Sequence, residues 1–223
     1  MKFTAPFALR LAMAAALLGL ACAPAAAQGP VSAADRAQRL AKLEEDLTSA
    51  DAGVQLASFE QAVTAGTAAE RVRAFAIGFG SSDGALRELA LRYKVCSLGF
   101  LNLQYNTVTH HMFDDVLTGA TSITLRDCDP AAGTFTTIGP SEGSNRGYRD
   151  PLTGPFANNH ITRGGGAISG TTLQLSFKGG TLNVLLCEGT FQLIPGKPVL
   201  IGRMACRRNA AGLEPMAVQI VLG

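Results

Sequence analysis

Apolar and polar residues follow two different periods along this chain, a helical one first and an alternating one afterwards. Between residues 33 and 95 the chain is rich in Ala, Leu, Glu and Arg and contains no proline. Within this stretch, three units of sixteen residues follow one another at 48–63, 64–79 and 80–95. Each unit spaces its apolar residues by three or four, so the pattern predicts three to four short amphipathic helices.

Each unit also carries a helix-start signal at its fourth position, where Asp51, Thr67 and Asp83 stand. The side-chain oxygens of Asp and Thr accept hydrogen bonds from first-turn amides that otherwise have no partner. A helix of about three turns is not stable in water by itself and needs its apolar stripe covered. We therefore expect these helices to stack on neighbouring elements.

Residues 48–95, with this capped helix repeated at a fixed period, resemble the short helical repeats of HEAT and armadillo proteins. The resemblance covers this segment only, and it implies a stacked helical surface suited to holding another protein. A plain antiparallel helical bundle that packs on the rest of the chain accounts for the same pattern. Both alternatives stay open at the level of the sequence.

From residue 96 to 223, Gly, Thr and Asn replace Glu and Arg, and alternation replaces the helical period. Besides two hairpins, strands are predicted at 99–105, 121–126, 134–138, 161–169 and 216–222. Short strands separated by glycine-containing turns are typical of a β-sandwich or a small meandering β-barrel. The expected fold class is α+β, with a helical segment at 28–95 and an antiparallel β domain at 96–223.

The first hairpin is predicted around a two-residue turn at 179–180. Counting outward from this turn, Phe177 lies opposite Leu182 on an apolar face. Gln174 lies opposite Leu185 on the other face, which is mostly polar. One apolar and one polar face are what a half-buried antiparallel hairpin requires.

The second hairpin is predicted to turn within residues 195–198. Counting outward from this turn, Leu193 lies opposite Leu200. Further along the same face, Cys187 lies opposite Cys206. Directly opposed β-carbons are about 4.5–5.5 Å apart, close enough for a disulfide after a small adjustment. The hairpin therefore predicts a Cys187–Cys206 bridge.

Between the two hairpins, the apolar face changes parity from Leu186 to Cys187. One face of a strand stays buried only while its alternation is unbroken. Glycine permits the backbone geometry of a β-bulge, so we expect a bulge or bend at residues 188–189.

The first 27 residues predict a cleaved signal peptide. Lys2 and Arg10 are the only charges, residues 11–20 are apolar, and Ala residues at 25–27 match a small-x-small cleavage site. The protein is therefore expected to be periplasmic or secreted. No later apolar run is long enough to span a membrane, so no span is expected after cleavage.

Signal cleavage removes one of the five cysteines and leaves Cys96, Cys128, Cys187 and Cys206. An even number of cysteines in an oxidising compartment predicts disulfides. With Cys187 paired to Cys206, the remaining pair is Cys96–Cys128.

Cleavage also removes both charges of the signal segment, which takes the formal net charge from +2 to about zero. The densest remaining basic cluster is Arg203, Arg207 and Arg208, which we interpret as a solvated face. Nucleic-acid binding depends on a clustered basic surface, so nucleic acid is not a predicted partner.

Two residue sets are candidates for chemistry. His110, His111 and Asp114 bring imidazoles and a carboxylate close together in sequence, as a divalent-metal site requires, although such a site needs a further protein ligand. The alternative for this set is a solvated polar turn.

Gly139 to Gly143 match the Gly-x-Ser-x-Gly elbow of serine hydrolases, with Ser141 as nucleophile and Asp150 and His160 following. That elbow needs a helix directly after the serine, and the glycines and proline that follow disfavour one. A surface loop is the alternative.

Together these observations favour an exported, non-enzymatic protein that binds another protein or a small ligand, and they predict no cofactor. The helical array and residues 139–159 are the surfaces expected to bind, since a long loop rich in Gly, Pro, Ser and Asn is often functional. The alternative function is a metal-dependent or serine hydrolase that uses one of the two candidate sets.

Overall fold

The computed structural model describes residues 32–105, 120–139, 164–179, 185–208, 211–212 and 215–223. Its helices are α1 (Ala33–Leu47), α2 (Ala52–Ala65), α3 (Ala68–Gly80) and α4 (Gly84–Leu98). Its strands are β1 (Phe100–Tyr105), β2 (Ala120–Asp129), β3 (Thr134–Ile138), β4 (Gly164–Ser169), β5 (Thr172–Gly179), β6 (Leu185–Leu193), β7 (Val199–Arg208), β8 (Ala211–Gly212) and β9 (Met216–Val221). The predicted α+β order, helices first and antiparallel strands afterwards, is confirmed.

The three predicted helix caps are present. The Asp51 carboxylate accepts from the Gly53 amide at 2.8 Å at the start of α2, and the Asp83 carboxylate caps α4 in the same way. Thr67 and Glu70 form a reciprocal capping box at the start of α3. The hydrogen bonds from Thr67 lower the pKa of the Glu70 carboxyl below its usual value. Local sequence signals therefore set where these helices begin.

Helices α2, α3 and α4 pack around Phe59, which is fully buried. The Phe59 ring meets the rings of Phe75 and Tyr93 edge-on, with centroids 5.8 and 6.2 Å apart. Gly78 brings α3 close to this cluster, since a β-carbon there would lie 2.8 Å from that of Ala90. The described helices thus share one core, whereas their resemblance to HEAT or armadillo repeats stays a prediction.

The strands form an antiparallel barrel. Of the two predicted β architectures, sandwich and barrel, the barrel is therefore the one observed. The sheet order is β6-β5-β4-β3-β2-β1-β9-β7, and β6 also pairs with β7, which closes the sheet. Each strand from β1 to β7 pairs with the next along the chain, β7 pairs with both the short β8 and β9, and β9 pairs with β1. An up-and-down barrel of eight strands has an interior just wide enough to be filled by side chains.

Inward-facing side chains fill that interior along the part of the barrel that the structure describes. They are between 0 and 6% exposed: Leu101, Leu103, Ile123, Leu125, Phe135, Thr137, Ile168, Leu173, Leu175, Phe177, Phe191, Leu193, Leu200, Met204, Val218 and Ile220. These side chains are almost wholly buried against one another. The described interior is therefore a packed core.

Two glycines lie directly against phenylalanine rings in the barrel interior. A β-carbon on Gly166 would lie 2.1 Å from the ring of Phe135, on the neighbouring strand. A β-carbon on Gly189 would lie 2.6 Å from the ring of Phe191. Large and small residues thus alternate so that the rings fit within a narrow interior.

The helices contact one end of the barrel. Helix α4 packs against β1, β2 and β4 and continues into β1 through Gly99, whose φ of 68° ends the helix. The Arg92 guanidinium donates to the Ala131 carbonyl in the β2–β3 turn at 2.6 Å. The Gly196 amide in the β6–β7 turn donates to the Phe79 carbonyl at 3.1 Å.

A disulfide between Cys96 in α4 and Cys128 in β2 joins the helices to this end covalently. The β2–β3 register shifts between Arg126 and Asp129, and Asp127 takes a φ of 48°. Such a bulge changes the direction in which the following side chains point. Because of the bulge, the Cys128 side chain does not follow the in-and-out alternation of β2 and can bond to Cys96 in α4.

The register predicted for the second hairpin is confirmed. Leu193 lies opposite Leu200 and Cys187 opposite Cys206, with the expected disulfide between the two cysteines.

The register predicted for the first hairpin is wrong. Phe177 lies opposite Cys187, not Leu182, because β6 begins only at Leu185 and the connection is longer than two residues. The break in apolar alternation between Leu186 and Cys187 is explained by this register, because Cys187 faces the interior and Leu186 faces the outer side of β6. The predicted bulge at 188–189 is absent, since the register is continuous there.

We expect Gly166→Ala to lower the free energy of unfolding by about 1–3 kcal/mol, because overpacking displaces well-packed neighbours. The added β-carbon would lie 2.1 Å from the Phe135 ring and 2.8 Å from the Gln174 carbonyl oxygen. Urea unfolding followed by circular dichroism measures the effect. Gly80→Ala is the control, since a β-carbon there meets no atom within 4 Å. Equal stability of the two variants would contradict the packing account.

We expect Cys96→Ser/Cys128→Ser to lower the free energy of unfolding by about 3–4 kcal/mol, because the bridge closes a 32-residue separation. Hydrogen exchange should accelerate in α4 more than in β6 and β7, since this bridge joins the helices to the barrel. The matched control is Cys187→Ser/Cys206→Ser, whose bridge lies within one hairpin. If both double variants show the same exchange pattern, the first bridge does not anchor the helices.

Candidate functional site

The outer faces of β4 to β7 line an open groove of about 1100 Å³. Antiparallel pairing aligns outward residues in rows that cross these strands. In the middle row Gln174 of β5 lies opposite Thr190 of β6, which lies opposite Arg203 of β7. We call Gln174, Thr190 and Arg203 the polar row. Small residues continue it on both sides, Ala167 on β4 and Ala217 on β9.

The polar row differs from the neighbouring rows in its hydrogen bonding. On one side, the Ser176 hydroxyl donates to the Gly165 carbonyl at 3.1 Å. On the other, the Thr172 hydroxyl donates to the Gln192 side-chain oxygen at 2.8 Å. Among the described residues, the three polar-row side chains have no hydrogen bond or ion pair of their own. Their donors and acceptors are available to a ligand.

Two further features of the groove bear on what it can bind. Its charged lining residues are Glu188 and Arg203, and Glu188 already has an interaction within the chain. Ile201 lines the groove two residues from Arg203 on the same strand and is 48% exposed. The groove thus presents a cation, neutral hydrogen-bonding groups and an apolar side chain on one face of the sheet.

Two smaller grooves lie among the helices. One, of about 330 Å³, is lined by residues of α1, α2 and α3, and its Lys42 and Asp46 form an ion pair at 2.9 Å. The other, of about 510 Å³, lies between α1 and α3 and is mostly apolar, with Val72 71% exposed. At its rim Arg73 and Glu44 pair at 2.6 Å. Internal ion pairs therefore occupy charged groups of both grooves, in contrast to Arg203.

The candidate metal-binding and catalytic residues lie outside the described residues. They are His110, His111, Asp114, Ser141, Asp150 and His160. The bordering strand ends, Tyr105 with Ala120 and Ile138 with Gly164, lie at one end of the barrel, opposite the helices. Within the described part of the chain, no cluster of three or more His, Cys, Asp or Glu residues is arranged to hold a metal.

Tyr105 is the last residue of β1 and faces inward at that same end. Its hydroxyl is buried and has no hydrogen-bond partner among the described residues. Burial raises the pKa of Tyr105 to about 12. The ionised form is disfavoured because a charge loses its hydration there.

Of the three basic residues singled out in the sequence, the structure describes the side chain of Arg203. Arg203 is exposed on the outer face, as predicted, and belongs to the polar row. The side chains of Arg207 and Arg208 lie outside the described residues.

Sequence reasoning missed the polar row because the first hairpin was given the wrong register. That register put Gln174 opposite Leu185, whereas Gln174 lies opposite Thr190. The second hairpin, whose register was right, already placed Thr190 opposite Arg203. The signal available in the sequence was the alternation of polar and apolar residues along each strand. Alternation shows which residues share a face of the sheet, but it does not show which residue of the next strand lies opposite.

Among the described helices, none has the length and apolar character needed to cross a membrane. No protein-family model, curated protein or solved structure matches this chain. Function is therefore inferred from the residues of the chain itself.

We expect the stability of the protein to fall as the pH rises from about 10 to 12, partly through Tyr105. An unfolded tyrosine ionises near pH 10, whereas folded Tyr105 keeps its proton until about pH 12. Between these values only the unfolded state gains from ionisation, so folding loses stability that is fully present below pH 10. Urea unfolding at pH 9 and pH 11 measures the loss.

The control for this pH dependence is Tyr105→Phe, which removes the hydroxyl and keeps the ring. The variant should lose less stability than the parent protein between the two pH values. Equal losses would show that Tyr105 does not titrate abnormally.

Proposed function

We propose that this protein is an exported, non-enzymatic binding protein that holds its ligand in the groove across β4 to β7. The observation that carries the proposal is the polar row, three adjacent side chains at the centre of the groove that have no hydrogen bond or ion pair with the part of the chain that the structure describes. An amide, a hydroxyl and a guanidinium together supply donors and acceptors for a polar ligand. Such a set suits recognition of a polar ligand by hydrogen bonds and charge.

The barrel supports the proposal by keeping the polar row rigid. Strands β5, β6 and β7 each pair on both sides, and the closed sheet leaves β6 no free edge. Because the inner faces of these strands are packed, the outer side chains stand on a backbone that does not need to rearrange. Preorganisation of this kind lowers the entropic cost of binding.

Export is supported by residues 1–27 and by the disulfides. The charge, apolar and small-residue pattern of the first segment is that of a signal peptide. Disulfides persist in oxidising compartments such as the bacterial periplasm and the extracellular space. We therefore place the binding activity in the periplasm or outside the cell.

Binding is tested with a displayed random-peptide library and an oligosaccharide array, both probed with the oxidised full-length protein. Thr190→Trp introduces a large side chain in the middle of the groove and should weaken every enriched ligand by about tenfold or more, because an anchor position is blocked. Titration of each enriched ligand by fluorescence anisotropy measures the change.

Thr124→Trp is the matched control. Thr124 is also an exposed strand threonine, but it lies on β2, four strands away from β6 around the barrel. Ligands should bind this variant as they bind the parent protein. Enriched ligands that ignore both tryptophans, or the absence of any enriched ligand, would overturn the proposed function.

A further inference from the structure

Arg203 has features of a ligand-binding cation. It is exposed on the outer face of β7, lies directly opposite Thr190, and has no ion pair or hydrogen bond among the described residues. The other charged lining residue, Glu188, lies opposite Ala205 on the adjacent row. A guanidinium presents paired N–H donors that match a carboxylate. The chemistry complementary to the polar row is therefore a carboxylate.

A second contact follows along the same strand. Ile201 stands two residues before Arg203 on the same face and is 48% exposed. Same-face residues of a strand are about 6.8 Å apart, because each residue advances the chain by about 3.4 Å. An extended peptide has this same spacing between alternate side chains. An acidic residue on Arg203 and an aliphatic residue on Ile201 can thus belong to one extended segment.

We propose that the groove binds an extended peptide segment of a partner protein, with an acidic residue two positions from an aliphatic one. This inference rests on the proposed function and names its ligand class. The acidic side chain pairs with Arg203, and the aliphatic side chain covers Ile201. Gln174 and Thr190 hydrogen-bond the backbone or neighbouring polar groups of the peptide.

A peptide fits these observations better than an acidic oligosaccharide. Sugar rings commonly stack on aromatic side chains, and among the described lining residues of the groove none is aromatic. The exposed isoleucine beside the cation instead suits an aliphatic side chain. The spacing of Arg203 and Ile201 also repeats the period of an extended polypeptide.

The test uses three fluorescein-labelled eight-residue peptides that differ only at two central positions: Glu-x-Leu, Lys-x-Leu and Glu-x-Ser. Fluorescence anisotropy measures their affinity for the oxidised full-length protein at low and high salt. We expect Glu-x-Leu to bind about fivefold tighter than Lys-x-Leu, as for one exposed ion pair, and this preference to shrink with salt. Glu-x-Ser should bind more weakly than Glu-x-Leu.

Variants that change the charge at Arg203 give the most discriminating comparison. Arg203→Glu should reverse the order, so that Lys-x-Leu binds tighter than Glu-x-Leu, whereas Arg203→Gln should abolish the preference. Ile201→Thr should weaken Glu-x-Leu and leave the Glu-to-Lys ratio unchanged. Circular dichroism and disulfide mapping establish that each variant is folded.

The outcomes separate this inference from the proposed function. If ligands depend on Thr190 but the charge preference does not follow residue 203, the peptide class is overturned and the groove remains a binding site. Binding of an acidic oligosaccharide such as oligogalacturonate in an Arg203-dependent way, without peptide binding, also overturns the peptide class alone. If no probe responds to Thr190→Trp, both proposals fail.

Discussion

The structure depends on closing a sheet of eight strands around a core that side chains must fill. An eight-stranded barrel leaves little room inside, so every inward position has to suit its neighbours across the strands. The Phe135 and Phe191 rings fit into this space because Gly166 and Gly189, which lie against them, carry no side chain. The interior is occupied along the described strands, and the groove proposed to bind a ligand lies on the outer face.

The helices are held against one end of the barrel by several kinds of contact. At one end α4, the Cys96–Cys128 bridge and the short turns between strands hold together through direct contacts. The bulge at Asp127 breaks the alternation of β2 at the place where the bridge needs a cysteine turned toward the helix. The connections whose residues suggested metal or serine chemistry join the strands at the other end. The described lining residues of the groove lie on the side of the barrel.

The groove proposed as the binding site lies on the outer face of a barrel whose described interior is packed. Pairing on both sides of β6 removes the free edge that otherwise recruits other strands. Recognition then rests on side chains alone, and the polar row places three different hydrogen-bonding groups next to one another. Its neighbours, Ser176 and Gln192, are held by internal hydrogen bonds. Free and occupied polar groups thus alternate across the groove.

The sequence by itself determined the features that depend on short-range physics. The caps Asp51, Thr67 and Asp83 mark the starts of three helices because their side chains bond amides two or three residues away. The tight turn within 195–198 set the register of its hairpin, and with it the Cys187–Cys206 pair.

Only the tertiary structure decided the features that depend on residues far apart in the chain. The sequence left sandwich and barrel open, because closure rests on pairing β1 with β9, more than a hundred positions later. It missed the register of β5 against β6, because alternation has a period of two and is satisfied by many pairings when the turn is not tight. The polar row follows from that register: parity places each residue on the outer face, but only the closed sheet puts Gln174, Thr190 and Arg203 side by side.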